Sequence, residues 1–79
     1  MSRKILNQPL ARAIAIVGSQ VKLAELIGKK QGHIWDWLYK TGKPAPECCI
    51  PIEEATKGIV TRYALRPDVF GSAPDEKAA

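Results

Sequence analysis

The residues best placed to do chemistry lie between positions 19 and 43, and the chemistry they suit is the binding of a polyanion. Lys30, Gln31, Trp35 and Asp36 fall within one stretch of seven residues. Gln31 suits adenine N6 and N7, and Lys30 suits guanine or a phosphate. Trp35 offers an apolar surface to a thymine methyl, and Asp36 an acceptor to cytosine N4. Around them stand Ser19, Gln20, Lys29, His33, Tyr39, Lys40 and Lys43, all able to donate hydrogen bonds to phosphate oxygens. Other chemistries are poorly served. There is no Ser–His–Asp set, no phosphate loop and no paired-carboxylate pocket, so an enzyme is not expected. The single His33 and the adjacent Cys48 and Cys49 cannot make a four-ligand zinc site. Adjacent cysteines rarely bridge each other, so one thiol is expected in a helix core with the other nearby. No metal or cofactor is expected.

Charge placement agrees with this reading. The net charge is +4 over 79 residues. Residues 1–43 carry eight Lys/Arg and two Asp/Glu, a net +6, whereas residues 44–79 carry four and six, a net −2. The basic half is the half expected to meet DNA. No apolar run is long enough to span a bilayer, and the basic start lacks the apolar core of a secretory signal, so a cytoplasmic protein is expected.

These residues need elements to position them. Leu10, Ala13, Ile14 and Val17 recur at helical spacing after Pro9, and Gly18 ends that helix. Ser19 caps a second helix over about Gln20–Ile27, with Leu23, Ala24, Ile27 and Leu26 turned inward. Gly28 stops it. A third helix over about Lys30–Tyr39 buries Ile34, Trp37 and Leu38. A fourth begins near Pro46 or Glu47 and ends by Gly58, with Cys48, Ile52 and Ala55 as its stripe. Pro51 there implies either a later start or a kink. Thr61 caps a short turn over Arg62–Leu65. Val69 and Phe70 are expected to fold back on the core, tied by Arg66 to Asp68 or Glu53. Ile59, Val60, Val69 and Phe70 serve either the core or a dimer contact. Residues 71–79 read as a disordered tail.

Ala24, Gly28, Ile34 and Trp37 have the spacing of a helix-turn-helix. A small residue lets the two helices cross closely, a glycine permits the tight turn, and two apolar residues lock the second helix. The outer helix is then sized for the major groove, about 12 Å wide. The expected architecture is all-α, lambda-repressor-like, with about five short helices in one domain over residues 1–70. A C-terminal β-hairpin is the lesser alternative.

The chain also resembles the Cro-type phage repressors, and more closely their YdaS-type group, over about residues 10–71. Three blocks carry the resemblance: GSQVKLAELIGKKQGHIWDWL, KPAPECCIPIEEATKG and IVTRYALRPDVFG. It departs from the family at Gly32, Trp35, Asp36 and Pro51. The resemblance implies a helix-turn-helix domain that binds double-stranded operator DNA as a homodimer and represses transcription. The rival expectation is a protein-interaction module, such as an antitoxin-like regulator partnering a toxin. It is discriminated by indifference to the loss of Lys29 and Lys30.

Overall fold

A computed structural model describes residues 4–71. Six helices and no strand occur among them: α1 (Gln8–Val17), α2 (Gln20–Ile27), α3 (Gln31–Tyr39), α4 (Pro46–Ala55), α5 (Arg62–Leu65) and α6 (Pro67–Phe70). The all-α expectation holds and the hairpin alternative falls. There is one helix more than the five expected, because Pro67 starts a new turn directly after Arg66 ends α5. The expected tail at residues 72–79 lies outside the described residues.

Three helix starts, those of α1, α2 and α5, are fixed by a side-chain cap. Ser19 Oγ accepts the Lys22 N–H at 3.0 Å, and Thr61 Oγ1 accepts the Ala64 N–H at 3.2 Å. Asn7 does more. Its Oδ1 accepts the Leu10 N–H at 3.0 Å, while its Nδ2 donates to Gly42 O at 3.0 Å and Leu65 O at 3.2 Å. This buried amide thus joins the start of α1, the turn after α3 and the end of α5.

The core gathers Leu10 and Ala13 from α1, Leu23 and Ala24 from α2, and Ile34, Trp37 and Leu38 from α3. Cys48, Cys49 and Ile52 of α4 close it from beyond, with Val60 and Leu65. Ile14, Val17, Ile27 and Phe70 pack half-buried around that centre. Both thiols are buried, rather than one, and both are free. Burial pushes Cys49 up to about 11 and raises Cys48 as well, so neither is a thiolate near neutral pH. α4 starts at Pro46 and runs through Pro51, so the later start is not observed. Proline has no N–H, and the Glu47 carbonyl forgoes its helical partner there.

Two expectations about apolar residues need correction, and one left open is divided. Leu26 is 51% exposed, at the edge of an open depression that it lines with Ile16 and Val17 of α1. Val69 is exposed while Phe70 packs on the core, its ring edge-on to Tyr63 at 6.4 Å. Ile59 and Val60 divide likewise: Val60 is buried and Ile59 is 63% exposed. Thr56 holds the Val60 backbone, its Oγ1 accepting the Val60 N–H at 3.1 Å.

The C-terminal ties are also settled. Arg66 makes a two-point pair with Asp68, at 2.9 and 2.8 Å, and its Nη1 donates to Pro44 O at 2.8 Å. Glu53 serves Arg62 instead, its Oε1 accepting the Arg62 backbone N–H at 2.8 Å and Nε at 3.1 Å.

Two predictions follow from these ties. Asn7→Ala removes a cap and leaves two carbonyls without their donor, and should lower unfolding free energy by about 2–3 kcal/mol in a urea titration. Acid should also weaken the fold. The Arg62 backbone N–H and guanidinium hold Glu53 below the usual carboxylate range, and the Arg66 hydrogen bonds bring Asp68 down to about 2. Carboxyls depressed in the folded state stabilise it above their unfolded pKa and lose that effect as pH falls through the folded value. The melting temperature should therefore fall as pH drops from the ordinary carboxylate range toward 2. The fall should be shallower in Glu53→Gln, followed by circular dichroism. Asp68 is solvent-exposed, so screening keeps its share the smaller one.

Candidate nucleic-acid interface

The interface is built outward from one turn. Gly28 closes α2 at φ 72, ψ 33, a left-handed conformation that costs a side chain about 1 kcal/mol or more and glycine little. The Lys29 N–H then donates back to Ala24 O at 2.9 Å. The chain reverses in three residues and α3 begins at Gln31, one residue later than the sequence suggested, with Lys30 at its N-cap. Ala24 is 3% exposed, and Ile34 and Trp37 are buried on the inner face of α3. A methyl-sized side chain at the crossing is what lets α3 lie close on α2.

Burying Ile34, Trp37 and Leu38 fixes what α3 presents outward. Lys30, Gln31, Gly32, His33, Trp35 and Asp36 line one shallow depression of about 560 Å³. All four residues read as base contacts, Lys30, Gln31, Trp35 and Asp36, are therefore together. The seven read as phosphate contacts divide by position. Ser19 and Gln20 stand at the start of α2, whereas Lys29 and His33 lie in the turn and in the first turn of α3. Tyr39, Lys40 and Lys43 lie at and beyond the far end of α3. Lys29, Lys30, Lys40 and Lys43 are exposed.

Side-chain contacts order this surface. Gln31 Nε2, at the start of α3, donates to Gln20 Oε1, at the start of α2, at 2.8 Å. The Lys30 N–H donates to His33 Nδ1 at 3.4 Å, and the His33 N–H to Lys30 O at 3.0 Å, so His33 helps to cap α3. The Trp35 and Tyr39 rings lie 5.3 Å apart at 55°, one helical turn from each other. Tyr39 is thereby joined to the base-facing group through Trp35.

The Gln20–Gln31 contact was not foreseen. A signal for it existed: glutamine is the first residue of both helices on either side of the turn. The Asn7 clamp was missed too, although Asn followed by Leu10 at capping distance and Pro9 marks a helix start.

Among the described residues, no group of three or more His, Cys, Asp or Glu is placed to hold a metal ion. No helix among them is long and apolar enough to cross a membrane.

Comparison with known proteins gives three matches of interest. Residues 10–74 match the family described as "Bacterial toxin YdaS". A protein of Escherichia coli (strain K12) named "Putative transcriptional regulator YdaS" is 35% identical over 63 residues, 80% of this chain. The match spans 64% of that relative, so less than two thirds of its length is represented here. A solved structure, the "Cro protein from putative prophage element Xfaso 1" of Xylella fastidiosa strain Ann-1, superposes with a TM-score of 0.76 at 41% identity. That match covers 81% of this chain and 97% of the other.

Proposed function

This chain belongs to the YdaS family of Cro-like helix-turn-helix regulators, and we propose that it is a sequence-specific, double-stranded-DNA-binding transcriptional repressor of the prophage Cro type. Genomic DNA as target places its work in the cytoplasm.

The observation that carries this reading is the Gln20–Gln31 hydrogen bond. It uses one Nε2 hydrogen of Gln31 and leaves the other, with Oε1, for a base. That is the pair adenine requires: Oε1 accepts from N6 and Nε2–H donates to N7. Gln20 keeps both its Nε2 hydrogens for a phosphate, at the positive end of α2. One contact thus couples backbone positioning to base readout.

Roles follow for the remaining residues. Ser19, Lys29, Lys40, Lys43, His33 and Tyr39 contact phosphates, and the lysines supply most of a salt-dependent affinity. Lys30, Trp35 and Asp36 join Gln31 at the base edges. A homodimer would set two α3 helices about 34 Å apart, matching a near-palindromic operator. Ile59 and Val69, exposed in the last third of the chain, are the apolar residues there still open for that contact; Val60 and Phe70 belong to the core.

The family's description as a toxin favours a second reading, a regulator that partners a toxin or another protein. An apolar depression of about 380 Å³ lined by Ile16, Leu26 and Ile59 gives such a partner a surface sharing no lining residue with the α3 face. In that case complex formation is indifferent to Lys29→Ala with Lys30→Ala.

Fluorescence anisotropy separates the two readings. The purified protein is titrated against the duplex upstream of its own gene and against an unrelated duplex, at two salt concentrations. Tighter binding upstream is expected, with Gln31→Ala weakening it about 10-fold. Lys29→Ala should weaken both duplexes alike and reduce the salt slope by about one. Equal binding to both duplexes, or none, overturns the repressor reading.

A further inference from the structure

Five of the six glycines sit at positive φ, where the backbone itself calls for glycine; Gly32 is the exception. It lies in the first turn of α3 with helical geometry. A Cβ added there meets no other atom within 4 Å. Neither backbone conformation nor packing inside the molecule requires a bare Cα at this position. Glycine in a helix is nevertheless a poor choice, since it raises the entropy lost on folding relative to alanine. The fold would be more stable with a methyl group there.

What Gly32 does instead is shape the surface. Trp35 and Asp36 follow it by three and four residues and so stand on the same side of α3. With Lys30, Gln31 and His33 they border the depression to which Gly32 contributes. A Cβ at residue 32 would project outward into that depression, where nothing of the protein meets it.

We infer that Gly32 is a specificity-determining residue: its bare Cα lets the floor of the DNA major groove, a base edge or thymine methyl, touch the α3 backbone between Gln31 and Trp35. This rests on the reading of α3 as the recognition helix. Gln31 can reach its base with both free polar groups only if the first turn of α3 lies deep. A side chain at 32 would hold that turn away from the groove floor. Phosphate contacts from lysines, on long flexible stems, tolerate such a shift, so general DNA affinity does not need the glycine.

The inference predicts effects of opposite sign from one substitution. Gly32→Ala should raise the melting temperature by about 2–5 °C. The same variant should bind the duplex upstream of the protein's own gene about 10-fold more weakly, or worse. Its binding to an unrelated duplex at low salt should change by less than about twofold, as phosphate contacts carry that affinity. Gly32→Val should weaken upstream binding further, without an equal loss on the unrelated duplex. Upstream affinity unchanged in Gly32→Ala overturns the inference while leaving the repressor reading intact. An equal loss on both duplexes, or a lowered melting temperature, also overturns it, since the glycine would then serve general affinity or the fold. A wild-type protein that does not prefer the upstream duplex overturns the repressor reading and this inference together.

Discussion

The reversal of the chain at Gly28 is the constraint on which the rest of the molecule depends. The Lys29 N–H must return to Ala24 O, and that requires a left-handed residue at 28. It also brings the axes of α2 and α3 close, and Ala24 is small enough to permit it. Once α3 lies there, its inner residues Ile34, Trp37 and Leu38 complete the core, and its outer residues have one face left to occupy. Lys30, Gln31, Trp35 and Asp36 are therefore on a common surface because of how the opposite face packs. The Gln20–Gln31 contact follows from the same geometry, since both glutamines begin helices on either side of the turn.

Residues distant from α3 hold this arrangement in place. Asn7 binds the turn after α3 to the start of α1 and the end of α5, using one side chain for a cap and two carbonyls. Arg66 reaches back to Pro44 O, at the entry to α4, while Asp68 holds the guanidinium in plane. Glu53 fixes the start of α5 through Arg62. A chain this short has a modest core, and these polar ties join the last third of the described chain to the part that carries α3.

The first three helices were legible because their apolar spacing is helical and Gly18 and Gly28 stop the first two, although the Asn7 cap of α1 and the exact start of α3 were not read. Ala24, Gly28, Ile34 and Trp37 are set by local geometry, and local geometry is what spacing reports. The last third was less legible. Ile59 and Val60 are adjacent and similarly apolar, and nothing in their types says which goes inward; in the fold the Val60 backbone is held by the buried Thr56 hydroxyl, which accepts its N–H. Val69 and Phe70 part likewise, as Phe70 finds Tyr63 and the core. Leu26 has the apolarity of a core residue, yet it stands at the edge of an open depression. Arg66 had two acidic candidates in sequence, and proximity along the chain gave it Asp68. For the candidate interface, residue types were readable, but the contact between Gln20 and Gln31 and the open space beside Gly32 belong to the folded molecule.

The central claim is that the outer face of α3, with the start of α2, is where DNA binds. Backbone amide shifts of the ¹⁵N-labelled protein, followed while the upstream duplex is added, test it most directly. The account predicts the largest changes at Ser19, Gln20 and residues 29–36, with Ile16, Leu26 and Ile59 little affected. Changes concentrated at Ile16, Leu26 and Ile59, with residues 29–36 unmoved, would contradict it.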